Sequence, residues 1–108
     1  MIEILQNKEN FDKIEFHARD RSEKGEEILG RIAGELEGDG FVINELDCEE
    51  FFTDGLVRAI LNLMALHGID KARFELPENA LERLKKLRFF EGEPSIESIA
   101  GFFDKGCR

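Results

Sequence analysis

The most constraining feature of this chain is a change of hydrophobic period near its middle. In Lys13 to Asp20, and again in Glu27 to Leu36, residues that suit a core recur at every second position. From Val57 onward they recur at helical spacing, with Ile60, Leu61 and Met64 following. A period of two fits half-buried strands, and a period near 3.6 fits one face of a helix. Gly38-Asp39-Gly40 follows the alternating run Glu27 to Leu36 and reads as a tight hairpin, with Phe41 to Cys48 as the returning strand. The first half is therefore expected to be an antiparallel meander.

The rest of the element order follows from the same reasoning. Met1 to Leu5 reads as a short strand and Gln6 to Asp12 as a polar loop. Lys13 to Asp20 reads as a strand with Ile14, Phe16 and Ala18 inward and Glu15, His17 and Arg19 outward. Arg21 to Gly25 is a charged turn. Thr53 or Asp54 is placed to cap a largely buried helix that runs to about His67, with Gly68 at its left-handed end. Lys71 to Leu76 alternates again. A helix between two strands of one sheet implies a right-handed crossover, so this strand is expected parallel to the one ending at Cys48. A second helix opens at Pro77, with Asn79 and Glu82 at capping-box spacing and Leu81, Leu84 and Leu87 on its apolar side. Pro94-Ser95 reads as the start of a short amphipathic helix carrying Ile96, Ile99, Phe102 and Phe103. The expected fold class is α/β, a mixed α+β sheet in which the meander feeds a β-α-β crossover. Residues 1–108 are expected to form one domain, a size that buries a core without disulfide or metal.

Charge narrows the function classes. The net charge is −9, and residues 1–50 hold 15 acidic against 6 basic side chains. Residues 51–108 hold 9 of each. An acidic sheet half repels a phosphate backbone, so no nucleic-acid partner is expected, while basic partners fit. No stretch is long and apolar enough for a membrane partner, and the N-terminus lacks a secretory pattern. Cytoplasmic localisation is expected, and two cysteines without a framework of spacings fit a reducing compartment.

The aromatic residues are ten Phe with no Tyr or Trp. Phe51-Phe52, Phe89-Phe90 and Phe102-Phe103 are adjacent pairs, so one ring of each could serve the core and the other a partner. Cys48 reads either as a small buried hydrophobe or as a nucleophile. A nearby helix N-terminus would lower its pKa, whereas Glu49 and Glu50 would raise it. Cys107 is the second thiol. His17 and His67 lack companions at ligand spacing, so no metal site is expected. Phosphate-loop, dinucleotide and nucleophile-elbow motifs are absent.

Glu27 through Gly34, Phe41 through Leu46, Asp54-Gly55-Leu56-Val57-Arg58-Ala59-Ile60-Leu61 and Ala80 to Phe89 together resemble the core of the GCN5-related N-acetyltransferase family. The resemblance implies acetyl-CoA as cofactor, a small-molecule acyl-CoA held at the helix N-terminus near Gly55. It assigns that site to Leu46, Phe52, Thr53, Asp54, Gly55, Leu56, Val57 and Arg58, with a strand bulge at Leu46 to Cys48. Acyl transfer would need a base, for which Glu45 or Asp47 is in reach, with Cys48 as a further catalytic candidate. The family's pyrophosphate loop is matched at Gly55 but not at Phe52 or Val57, and Leu84 stands where a tyrosine is frequent. The alternative is a non-catalytic protein-interaction or dimerisation module that uses the Phe pairs and the acidic sheet, including as a homodimer. A ferredoxin-like sandwich shares the strand–helix–strand unit.

Overall fold

A computed structural model of the chain describes residues 2–7, 13–22 and 25–106. Among them the alternating segments form β1 (Ile2–Asn7), β2 (Ile14–Ser22), β3 (Gly25–Glu37) and β4 (Gly40–Cys48), an antiparallel meander. Helix α1 (Glu50–Leu66) then crosses to β5 (Lys71–Phe74), which pairs parallel to β4. After α2 (Glu78–Lys86) comes β6 (Ser95–Ile96), antiparallel to β5, and then α3 (Ile99–Gly106). The described strands make one mixed six-stranded sheet in the order β1-β2-β3-β4-β5-β6, accompanied by three helices. Four successive strands before the first helix do not match the β-α-β-β-α-β order of a ferredoxin-like fold.

The core forms where the two periods meet. Phe16, Ala18, Ile32, Phe41, Ile43 and Phe74 line one face of the sheet. Leu56, Val57, Ile60, Leu61 and Met64 of α1 cover it, and Leu84 and Ile99 close its margin. Full burial of each large aliphatic side chain is worth about 1.5–3 kcal/mol, so α1 is held by this face rather than by its caps. Gly38, at φ 62°, turns β3 into β4 through a two-residue loop, as the hairpin signal implied. Helix α1 ends in a Schellman motif, with Gly68 N–H bonded to Ala65 O and Ile69 N–H to Met64 O.

Several expectations are corrected. Helix α1 begins at Glu50, and its cap residue Glu49 makes no side-chain capping bond. Thr53 lies inside the helix and is fully buried, so neither it nor Asp54 is the cap. The bulge in β4 falls at Asn44 rather than at Leu46 to Cys48, because Ala33 pairs with Glu45 while Gly34 pairs with Ile43. A second bulge at Leu29 shifts β3 against β2 and leaves Ile28 57% exposed. Strand β5 ends at Phe74, short of Leu76. The cap residue of α2 is Pro77, without a side-chain bond, and Asn79 Oδ1 instead accepts from the N–H of Ala80. Ser95 and Ile96 pair with β5, and the last helix starts only at Ile99. The loop expected over residues 6–12 lies outside the described residues beyond Asn7, as does Cys107.

Candidate functional site

The end of β4 and the start of α1 hold most of the residues singled out from the sequence. Strand β4 pairs with β5 only as far as Ile43, after which the Glu75 N–H bonds Ile43 O and the two segments separate. Arg83 of α2 reaches into this divergence. Its Nη1 donates to the Cys48 carbonyl at 3.0 Å and to Thr53 Oγ1 at 3.2 Å. Thr53 Oγ1 in turn donates to Glu49 O at 3.4 Å and lies 3.5 Å from Cys48 Sγ. Cys48 is half-buried against the core, and its nearest polar neighbour is a hydroxyl rather than an activating base.

The first turns of α1 are committed to packing. A side chain on Gly55 would meet Ile4 Cδ1 of β1 at 2.7 Å, so the glycine admits the edge strand. Leu56 and Val57 are fully buried, and Leu46 and Phe52 pack against the core from its edge. Asp54 is not an isolated acid, because both of its carboxylate oxygens accept from Arg58 Nε at 3.0 Å. The Arg58 guanidinium also lies 5.7 Å from the Phe89 ring centre and 5.4 Å from that of Phe102, within cation–π reach.

Glu45 and Asp47 do not join Cys48. Register places them on the sheet face away from α1, while Cys48 opposite Gly30 belongs to the helix side. Glu45 Oε2 accepts from Lys13 Nζ at 2.9 Å and from Arg31 Nη2 at 3.0 Å. Asp47 is exposed opposite Arg31. The three residues assigned to catalysis therefore share no common point of attack.

The open face carries a network that the sequence reading missed. Glu15 and His17 both lie on it yet are buried, with Glu15 Oε2 at 2.7 Å from His17 Nε2. Asn7 Nδ2 donates to the same carboxylate oxygen, and Arg31 Nη2 donates to Oε1 at 3.1 Å. Arg19 Nη2 lies 3.3 Å from His17 Nδ1, so both ring nitrogens have neighbours. Burial raises the Glu15 pKa. The hydrogen bonds from Asn7 and His17 and the charge on Arg31 outweigh it, and the carboxyl is held below its ordinary value. The available signal was the Glu-x-His-x-Arg alternation on β2, although only strand register brings Asn7, Arg31 and Glu45 to it. With both histidine nitrogens engaged, the arrangement suits a fixed polar layer better than a proton-transfer dyad. Among the described residues no cluster of three or more His, Cys, Asp or Glu is placed to hold a metal ion.

No family model matches the chain, and no curated protein matches it. A solved structure, the crystal structure of a KacTA–DNA complex, shares its fold with a TM-score of 0.63. That likeness covers 90% of this chain and 76% of the other, at 15% identity, and it carries the fold alone. The acetyltransferase reading is withdrawn on these findings. No family model supports it, and the neighbour is described by its complex with DNA. The physical reason is that element order and apolar spacing report how a mixed sheet packs, whereas a ligand is read from its loop. In that loop the one matching residue, Gly55, is accounted for by Ile4. The expectation of no nucleic-acid partner is likewise withdrawn, since the neighbour is a protein–DNA complex. No helix among the described residues is long and apolar enough to cross a membrane.

Proposed function

We propose that this chain is a non-catalytic protein-interaction module that joins a nucleic-acid assembly through a basic protein partner. The observation that carries the reading is the charge of the sheet half. Its 15 acidic against 6 basic residues favour a cationic protein surface over direct contact with phosphates. The fold neighbour's complex with DNA supports the setting. The separation of Glu45 and Asp47 from Cys48 across the sheet supports the absence of chemistry.

Titration calorimetry tests this. A lysine-rich peptide should bind with an affinity that falls as salt rises, because charges separated by more than about 8 Å are screened at physiological ionic strength. A glutamate-rich peptide of equal length should not bind. Tight binding to a bare DNA duplex with none to the lysine-rich peptide would overturn the reading.

A further inference from the structure

Strand β1 is an edge of the sheet, with no described strand beyond it. Its sequence, Ile-Glu-Ile-Leu-Gln-Asn, contains neither Pro nor Lys, the residues that commonly block pairing at an edge. Gly55 seats Ile4 of this strand against α1. One helical turn earlier on the same side of α1 stands Phe51, and the preceding residue of β1 with Ile4's orientation is Ile2. Helix α1 returns from the end of β4 and so runs in the direction of β1. The rise of one helical turn, about 5.4 Å, is close to that of two strand residues, which puts Phe51 near the level of Ile2. Both are exposed, Phe51 by 81% and Ile2 by 52%, and the Phe51 ring lies edge-on to that of Phe52 with centres 5.1 Å apart.

The surroundings of this patch are acidic. Glu49 and Glu50 are exposed beside Phe51, and exposed Glu27 lies two strands from Ile2 through their common partner Asp20. Arg58, the nearest described cation on α1, is held by Asp54. We infer that β1 and the first turn of α1 form the docking site for an extended, Lys- or Arg-bearing segment of the partner, added as a further strand along β1. The inference rests on the interaction reading above. Main-chain bonds along the edge would supply register, an apolar side chain would pack on Phe51 and Ile2, and the cations would face Glu49 and Glu50. A second copy of this chain suits the edge poorly, because two chains of charge −9 would bring these same acids together.

The test uses the full chain, isotope-labelled, and a short peptide alternating valine and lysine, with a valine–glutamate peptide as control. Amide shifts on adding the basic peptide should concentrate in β1 and in residues 49–55. Phe51→Ser should weaken binding by about tenfold or more, and Glu50→Lys should weaken it and flatten its salt dependence. Both positions are exposed, and the Glu50 variant serves if the Phe51 variant fails to fold. Shifts confined to the face of Glu15 and Glu45 would overturn this site while leaving the interaction reading intact. Absence of binding by the basic peptide would overturn both. A dimer of the chain alone that Phe51→Ser dissolves in sedimentation would overturn the assignment of the occupant.

Discussion

Ile4 Cδ1 of β1 occupies the space that a side chain on Gly55 of α1 would enter, at 2.7 Å from its ideal Cβ position. This contact sets how closely the helix start approaches the edge strand. The obstructing atom is the far end of a flexible side chain, so Gly55→Ala needs only a small shift of Ile4. The shift is offset by a gain in helix propensity of about 1 kcal/mol. Chemical denaturation of this variant should give a stability within about 1 kcal/mol of the parent. Gly55→Leu should lose about 1–3 kcal/mol through overpacking. Ile4→Ala should return part of that loss in a double-mutant cycle, and strict additivity would mean that the two residues do not meet.

Glu15 gives the sheet a pH dependence of definite sign. Its carboxyl has a lower pKa when folded than when unfolded, so it contributes stability above the unfolded value, about 4.3. That contribution is lost as pH falls through the lower folded value. Stability measured by urea titration should therefore decline as the solution is acidified below about pH 4.3. Glu15→Gln should flatten part of the decline and cost about 1–3 kcal/mol at neutral pH, since His17, Arg31 and Asn7 each lose a charged acceptor. A variant with an unchanged acid slope would show that the carboxyl is not held as the geometry indicates.

Periodicity identified the meander, the crossover helix and the parallel strand, because each is long enough for its apolar face to repeat. The two-residue strand at Ser95-Ile96 has no period to detect. The hydroxyl of Thr53, like the carboxylate of Asp54, suits a helix start, but Thr53 lies inside the helix. Its bond with Arg83 spans thirty positions and is invisible locally. Glu15 and His17 read as solvated because alternation put them on the open face correctly. Their burial comes from Asn7, Arg31 and neighbouring strands, which only register specifies. Element order, finally, resembled an enzyme family without the loop residues that a ligand requires.

Arg88 occupies the left-handed region at φ 66°, at the end of α2. It is the C′ residue of a Schellman motif, with its own N–H bonded to Lys85 O and the Phe89 N–H bonded to Leu84 O. A β-carbon there costs roughly 1–2 kcal/mol, which glycine avoids at some expense in unfolded-state entropy. Arg88→Gly should therefore raise stability, by about 1 kcal/mol or less. Its exposed side chain makes the comparison clean. A rise in melting temperature checks this, and a fall would mean that the arginine contributes more through its side chain than its backbone loses.

Arg83 joins three elements through one nitrogen, and its removal tests whether the end of β4 is structural. With Arg83→Met, the Cys48 carbonyl loses its donor and the buried Thr53 hydroxyl loses a partner. A hydrogen bond from a charged donor contributes about 1.5–3 kcal/mol, and a loss of that order is expected. Arg83→Lys should recover less than half of it, because a single ammonium on a flexible stem is poorly suited to bridge a carbonyl and a hydroxyl on different elements. The half-buried Cys48 lies beside this junction, so its labelling by a small thiol reagent should quicken in the methionine variant as the first turn of α1 opens more often. Unchanged labelling together with lost stability would place the weakened contact in α2 rather than at the helix start.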